Sequence, residues 1–354
     1  MKICWFGIYK PDFSRNRIYI KGLKKLGVQI MECRDDSAGF LKYLKLFWKH
    51  WQLKDDYDFL VVGYPGHPTV WLAKLISNRP VIFDALCTME EGVVISRSQA
   101  GFLGLYATYI RFIDWLAVRC ADIILVETEA QRDFFIKKFK GTHNKTKVLY
   151  IGADNDVFYP DQSIKNKSEF TVVFRGQFLP EAGVNHIIEA AKILENNKIN
   201  FLLIGQGFLK EQIVHLINIL RLSNLEMILS EGVALDDFRK IMSTCHLSLG
   251  QLENHERLAR TVPHKCYESM AMKLPYVTAR TRPVAEILKE GESVVFVNPA
   301  DPQDLADKIL YLKNNPEIAQ KIGDNGYKVY LEKFTPEKLA QDILAILKTL
   351  NPRK

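Results

Sequence analysis

"FTVVFRGQFLPEAGVNHIIEAAKILENNKINFLLIG", Phe170–Gly205, holds the architecture in miniature. An apolar run ending on Gly176 is followed by a helical period over 183–196, and a second apolar run ends on Gly205. Strands with no polar alternation, joined by helices, imply a parallel sheet covered on both faces. The pattern continues downstream with a helix at 208–222, "LEMIL", a helix at 235–244, "HLSLG", a helix at 264–273, "PYVTA" and "SVVFV". Upstream, "KICWFGI", "VQIME", "DFLVVGY", "PVIFDA", "DIILVE" and "KVLYIG" form a second such series. Thr128 and Gln131 form a capping box for the helix ending near Lys140. Asp301–Pro302 and Thr335–Pro336 each place a cap before a proline at the first helical position, so the chain ends in helices, the last over about 336–350.

A chain of 354 residues exceeds one ordinary core, so two domains are expected. The polar segment 161–169 lacks an apolar period and reads as the linker between a first domain, 1–160, and a second, 170–334. The C-terminal helix, 335–354, is expected to pack back toward the first domain. The fold class is therefore α/β, two tandem Rossmann-like doubly wound domains facing a cleft, with ligands at the carboxyl ends of the strands.

The six cysteines are scattered without ligand spacing, and the eight histidines show no HxxxH, so reduced thiols, a cytoplasmic setting and no metal are expected. The apolar run opening the chain is too short for a signal peptide, and residues 101–126 are interrupted by four charges, which argues against a membrane span. Of the net charge of +7, residues 1–160 carry +6 and the remainder +1, so an anionic surface would meet the first half. Its best membrane candidate is "FLKYLKLFWKHWQLK", residues 40–54. At helical spacing Phe40, Leu44, Phe47, Trp48 and Trp51 share a face, with Lys42, Lys45 and Lys49 opposite. Two readings stand: an interfacial helix on an anionic membrane, or a sheet-covering helix with a solvated basic face. A modest basic excess with no recognition motif argues against nucleic acid.

"RTVPHKCYESMAMKLPYVTA", Arg260–Ala279, carries Glu268 into an apolar helix, with Pro263 and Lys265 at its start. "GADNDVFYP" at 152–160, "FRGQFLPEAG", "FLLIGQG", this helix and "VNPADPQDLADKI" recur in one order. In that order and spacing the chain resembles the group 1, or family 4, glycosyltransferases of GT-B fold, and the proline–polar–lysine segment resembles a subgroup of them. The resemblance implies a nucleoside-diphosphate sugar (UDP- or GDP-linked) held mostly by the second domain and a glycan or lipid-linked acceptor held by the first. It also implies retention of anomeric configuration without a metal or other cofactor.

The resemblance places Glu268 on the ribose hydroxyls, a role suited to a carboxylate that can accept two hydrogen bonds. Lys265, at a helix start, would face the diphosphate. Three positions depart from the family. Arg260 replaces a second glutamate, while Gln177 and Ala182 stand where many members carry an arginine and a lysine on the diphosphate. Arg175 is the candidate replacement charge; Arg260 could serve the sugar or the diphosphate. Gly205 and Gly207 are either a close approach to the ligand or a tight turn, and Gly232 and Val233 would contact the base. On the acceptor side the candidates are Gly7, Arg15, His67 and Asp84, the last two able to orient the acceptor hydroxyl or take its proton, with Leu86 where some relatives have histidine. Each also has a purely structural reading. Asp154 and Asp156 spell the D-x-D metal signature of another glycosyltransferase fold, but their segment reads as a turn. A sugar-nucleotide epimerase and a nucleotide- or glycan-binding protein without turnover remain the alternatives.

Overall fold

Strands buried on both faces need helices above and below, and the computed structural model supplies them twice over. It describes residues 1–54, 56–95, 104–161, 163–164, 166–231 and 233–350. One unit comprises Met1–Gly152 with Phe334–Lys354, the other Ala153–Lys333.

In the first unit β1 (Lys2–Gly7), β2 (Gln29–Arg34), β3 (Phe59–Val62), β4 (Val81–Leu86), β5 (Ile123–Val126) and β6 (Thr146–Val148) form a six-stranded sheet in the order β2-β1-β3-β4-β5-β6. Every pairing is parallel. The chain reverses direction between β1 and β3, which is the flavodoxin-like order. The connections are α1 (Ser14–Lys25), α2 (Leu41–Leu53), α3 (Val70–Ile76), α4 (Leu105–Cys120) and α5 (Glu129–Lys138). Right-handed crossovers put α1 on one face and α2 to α5 on the other. The last helix, α13 (Pro336–Lys348), packs on α1 so closely that a Cβ on Gly22 would lie 1.9 Å from the Pro336 carbonyl oxygen. The Thr128 hydroxyl caps α5 by accepting from Gln131 N, while the Gln131 side-chain amide donates to buried Glu91 at 2.7 Å.

In the second unit β7 (Phe170–Gln177), β8 (Ile199–Gln206), β9 (Leu225–Leu229), β10 (Leu247–Leu249), β11 (Tyr276–Ala279) and β12 (Val295–Val297) take the order β12-β11-β10-β7-β8-β9, again all parallel. This is the dinucleotide-binding order, with its switch between β7 and β10. The helices are α6 (Val184–Ile193), α7 (Lys210–Leu220), α8 (Leu235–Ser243), α9 (His264–Ala271), α10 (Arg282–Ile287), α11 (Pro302–Asn314) and α12 (Pro316–Lys333). Val172, Phe174, Phe201, Leu203 and Leu249 build its core between sheet and helices.

The division falls at Gly152–Ala153, ahead of the stretch whose composition marks a linker. That stretch is tied to the second unit by hydrogen bonds. Asp161 pairs with Arg239 at 2.9 Å, and Lys167 N donates to Thr244 O at 2.9 Å. Upstream of it, Tyr330 Oη donates to the Ala153 carbonyl at 3.0 Å. A polar stretch lacks an apolar period whether it dangles or is pinned.

Candidate functional site

At the carboxyl end of β7, beside the switch point, the strand delivers Arg175, Gly176 and Gln177. Across from it α9 starts after Pro263, and the hydroxyls of Ser269 on α9 and Ser248 on β10 meet at 2.8 Å. All α9 residues from Lys265 to Ala271 are buried, so this helix is a wall of the core as well as a carrier of charge.

Three charges meet here. Arg175 and Glu268 form an ion pair, and the guanidinium lies over the rings of Phe238 (4.8 Å) and Phe158 (5.4 Å). Lys265 Nζ stands over the Phe174 ring at 4.4 Å, against Gly176, where a Cβ would approach it to 2.8 Å. Among the described residues Nζ has neither a hydrogen bond nor an ion pair, although Lys265 is only 7% exposed. Burial drives its pKa down to about 8; Glu268 raises it and Arg175 lowers it further. A buried cation without a hydrogen-bonding acceptor is costly. With Arg175 and Glu268 cancelling each other, one positive charge is left over, so this end of the sheet suits an anion.

The other residues singled out for this half fall into two groups. Arg260 reaches back to Glu256 at 3.1 Å, and Gln177 is exposed at the strand end. Val233 is half-buried in a turn onto Ser230, and Gly232 lies outside the described residues. Ala182 is fully buried, and the neighbouring Gly183 has φ 64°, where a Cβ would fall 2.8 Å from Glu253 N. Gly205 and Gly207 resolve toward the tight turn. A Cβ on Gly205 would strike the Gly176 carbonyl oxygen at 2.0 Å, and one on Gly207 the Phe178 backbone at 2.9 Å. Both positions are small where the chain itself approaches. Sequence reasoning passed over Glu181, buried and paired with Arg257 at 3.0 Å, and the aromatic rings that seat both cations. The phenylalanines read as core, and only the tertiary structure puts them under charges.

In the first unit the acceptor-side candidates Arg15, Asp84 and His67 lie in the interior. Arg15 and Asp84 are both completely enclosed. Arg15 Nη2 lies 2.7 Å from Asp84 Oδ1, its Nε donates to the same carboxylate at 2.8 Å, and Nη1 donates to the Leu149 carbonyl at 3.0 Å. This pair holds β4, α1 and the chain after β6 together, the structural role that the sequence also allowed for Asp84. His67 is buried too, its Nε2 2.9 Å from the Cys87 carbonyl, which accepts the proton there, and its ring edge-on to Phe83. Burial lowers its pKa and keeps the ring neutral in the interior. Gly7, at φ 119°, faces Thr69, whose hydroxyl oxygen a Cβ would meet at 2.9 Å. Asp154 is a turn residue whose carbonyl accepts from Val157 N and Phe158 N. No cluster of three metal-ligating side chains occurs among the described residues.

On α2 only Leu46 and His50 are buried; Phe40, Leu44, Phe47, Trp48 and Trp51 point outward. The apolar face is therefore not the sheet-covering one. Lys45 donates to Ser37 and Lys49 pairs with Asp35 at 2.8 Å.

The fold is shared with solved GT-B glycosyltransferases. Anabaena Alr3699/HepE in complex with UDP and glucose matches 99% of both chains at 18% identity with a TM-score of 0.70. The sucrose-phosphate synthase of Thermosynechococcus elongatus covers 99% of this chain and 98% of its own at 13% identity, TM-score 0.73. Residues 155–329 match the sequence model of the glycosyl transferases group 1. An uncharacterized glycosyltransferase of Methanocaldococcus jannaschii is 28% identical over 59% of this chain and 55% of its own. The Staphylococcus aureus capsular polysaccharide biosynthesis glycosyltransferase CapM is 23% identical over 66% of this chain and 63% of its own. The match thus spans less than two thirds of either relative. The fold is GT-B, and the match to the group 1 glycosyltransferases takes in just under half of the chain, nearly all of the second unit.

Proposed function

We propose that this protein is a retaining, metal-independent glycosyltransferase that takes a sugar from UDP- or GDP-sugar and passes it to a glycan or lipid-linked acceptor. The observation that carries the reading is the Lys265 ammonium, with no hydrogen bond or ion pair among the described residues, beside the Arg175–Glu268 pair at the switch point of the second sheet. Glu268 takes the ribose diol. Lys265 and Arg175 stabilise the departing diphosphate, Arg175 supplying from the strand the charge that Gln177 lacks. Relatives and fold neighbours support the donor class: HepE was solved with UDP and with UDP-glucose. Asp84 and His67, held in the interior, are left out of the scheme, and the acceptor proton leaves by another route.

The first unit, with its basic excess and outward aromatic face on α2, would dock on the cytoplasmic face of an anionic membrane, where lipid-linked acceptors reside. Calorimetric titration with UDP and GDP tests the donor site. One of them should bind, and Glu268→Ala and Lys265→Ala should each weaken it by roughly tenfold to more than a hundredfold, as expected for losing a charge-assisted contact. Transfer of label from the matching sugar nucleotide to an added acceptor separates turnover from binding alone. Parent-like binding by both variants would remove the site from this place.

A further inference from the structure

The exposed apolar surface of the first unit is larger than the α2 stripe, and its other part lies in a region that reads from sequence only as an interrupted apolar run. Along α4, Leu105, Tyr109, Phe112 and Trp115 recur at helical spacing and all face solvent, Trp115 at 49% exposure. The opposite side of the helix, Ala107, Ile110, Ile113, Asp114, Ala117 and Val118, is buried. The outward row is thus a second apolar face on a helix whose core-facing side is already satisfied. Phe112 and Trp115 stack at 5.9 Å, as Trp48 and Trp51 meet edge to face at 5.4 Å on α2.

The two rows belong to one surface. α3 packs against both α2 and α4. Tyr43 of α2 rests on Trp71 of α3 at 5.7 Å. Leu75 of α3 is 75% exposed between them. A monomer rarely leaves so many large apolar side chains contiguous and exposed without a use.

We infer that α4 is a second membrane-contacting element and that α2, α3 and α4 together seat the first unit on the interface of an anionic bilayer. The occupant follows from the chemistry of the rows. Tyrosine and tryptophan are the residues that favour the headgroup level, and Lys42 and Lys45 flank the α2 row while Arg119 flanks that of α4; Lys49 and Arg111 beside them are ion-paired with Asp35 and Glu90. Cations beside aromatic rows complement anionic headgroups. No described helix is long and apolar enough to cross a membrane, so the contact is a lying-on one.

This inference rests on the membrane reading of α2, and the test separates the two. Full-length protein is sedimented with phosphatidylcholine vesicles, with and without phosphatidylglycerol. The parent is compared with an α2 variant (Phe47→Ser, Trp48→Ser, Trp51→Ser) and an α4 variant (Tyr109→Ser, Phe112→Ser, Trp115→Ser). The parent should bind the anionic vesicles and release with salt, and each variant should bind on the order of tenfold or more weakly, since each loses three interfacial rings. Thermal unfolding checks the fold; if the α4 variant unfolds early, Phe112→Gln alone replaces it. An α4 variant that binds like the parent while the α2 variant fails overturns the inference and leaves the α2 reading standing. A parent that ignores anionic vesicles overturns both. A lipid-free dimer that the α4 variant abolishes, with no vesicle binding, assigns the surface to a second copy and overturns it as well.

Discussion

Lys265 makes nucleotide binding depend on pH in a range where the phosphates themselves no longer titrate. In the free protein burial brings its pKa down to about 8 from the ordinary 10.5, chiefly because no anion replaces the water it has lost. At 1.36 kcal/mol per unit, keeping the charge costs about 3 kcal/mol. A diphosphate beside the ammonium returns most of that and raises the pKa, so binding at a pH near 8 draws a proton into the site. Titrations in buffers of differing ionisation enthalpy should therefore show uptake of about half a proton at pH 8, falling toward zero at pH 6.5. Affinity should be flat up to about pH 7 and then fall, approaching tenfold per unit above the free-site pKa. Lys265→Ala should bind weakly at every pH and show no such slope. A parent whose affinity is level from pH 7 to 9.5, or a variant that keeps the slope, would refute the argument.

The same burial affects stability. A lysine whose folded pKa is depressed disfavours folding while charged, a penalty fully present below about pH 8 and relieved as pH rises toward 10.5. Lys265→Met should therefore raise the unfolding free energy at pH 7, by up to about 3 kcal/mol, while weakening nucleotide binding as Lys265→Ala does; a less stable variant would count against it. Asp84→Asn leaves the enclosed Arg15 charge without its partner and should cost about 3–5 kcal/mol in urea unfolding, with Arg15→Met/Asp84→Leu recovering much of it. A loss near zero would mean that the pair is not closed. Gly205→Ala puts a Cβ within 2.0 Å of the Gly176 carbonyl and should destabilise the ligand-free protein by about 1–3 kcal/mol, visible as a lower Tm. An unchanged Tm with weakened UDP binding would return that glycine to the ligand.

Strands and helices were legible in the sequence because each is a local pattern. "INFLLIG" and "LEMIL" have no polar alternation, and Asp301 and Thr335 announce helix starts that the structure keeps, each side chain accepting from the backbone N–H three residues on. The order of short strands and helices also points to parallel sheets, since parallel neighbours require crossovers. At the site, the sequence itself supplies the residue types: Glu268 and Lys265 on one short helix, and an arginine ending a strand. What it could not supply was the pairing. Whether Arg175 turns toward Glu268, whether Lys265 lacks a partner, and whether Arg15 and Asp84 face outward or neutralise each other in the core depend on residues 93 and 69 positions apart. Such separations carry no local period. The same holds for α2 and α4. Amphipathicity shows that a helix has two faces, but only the packing of α3 and the sheet decides which face is left to the outside.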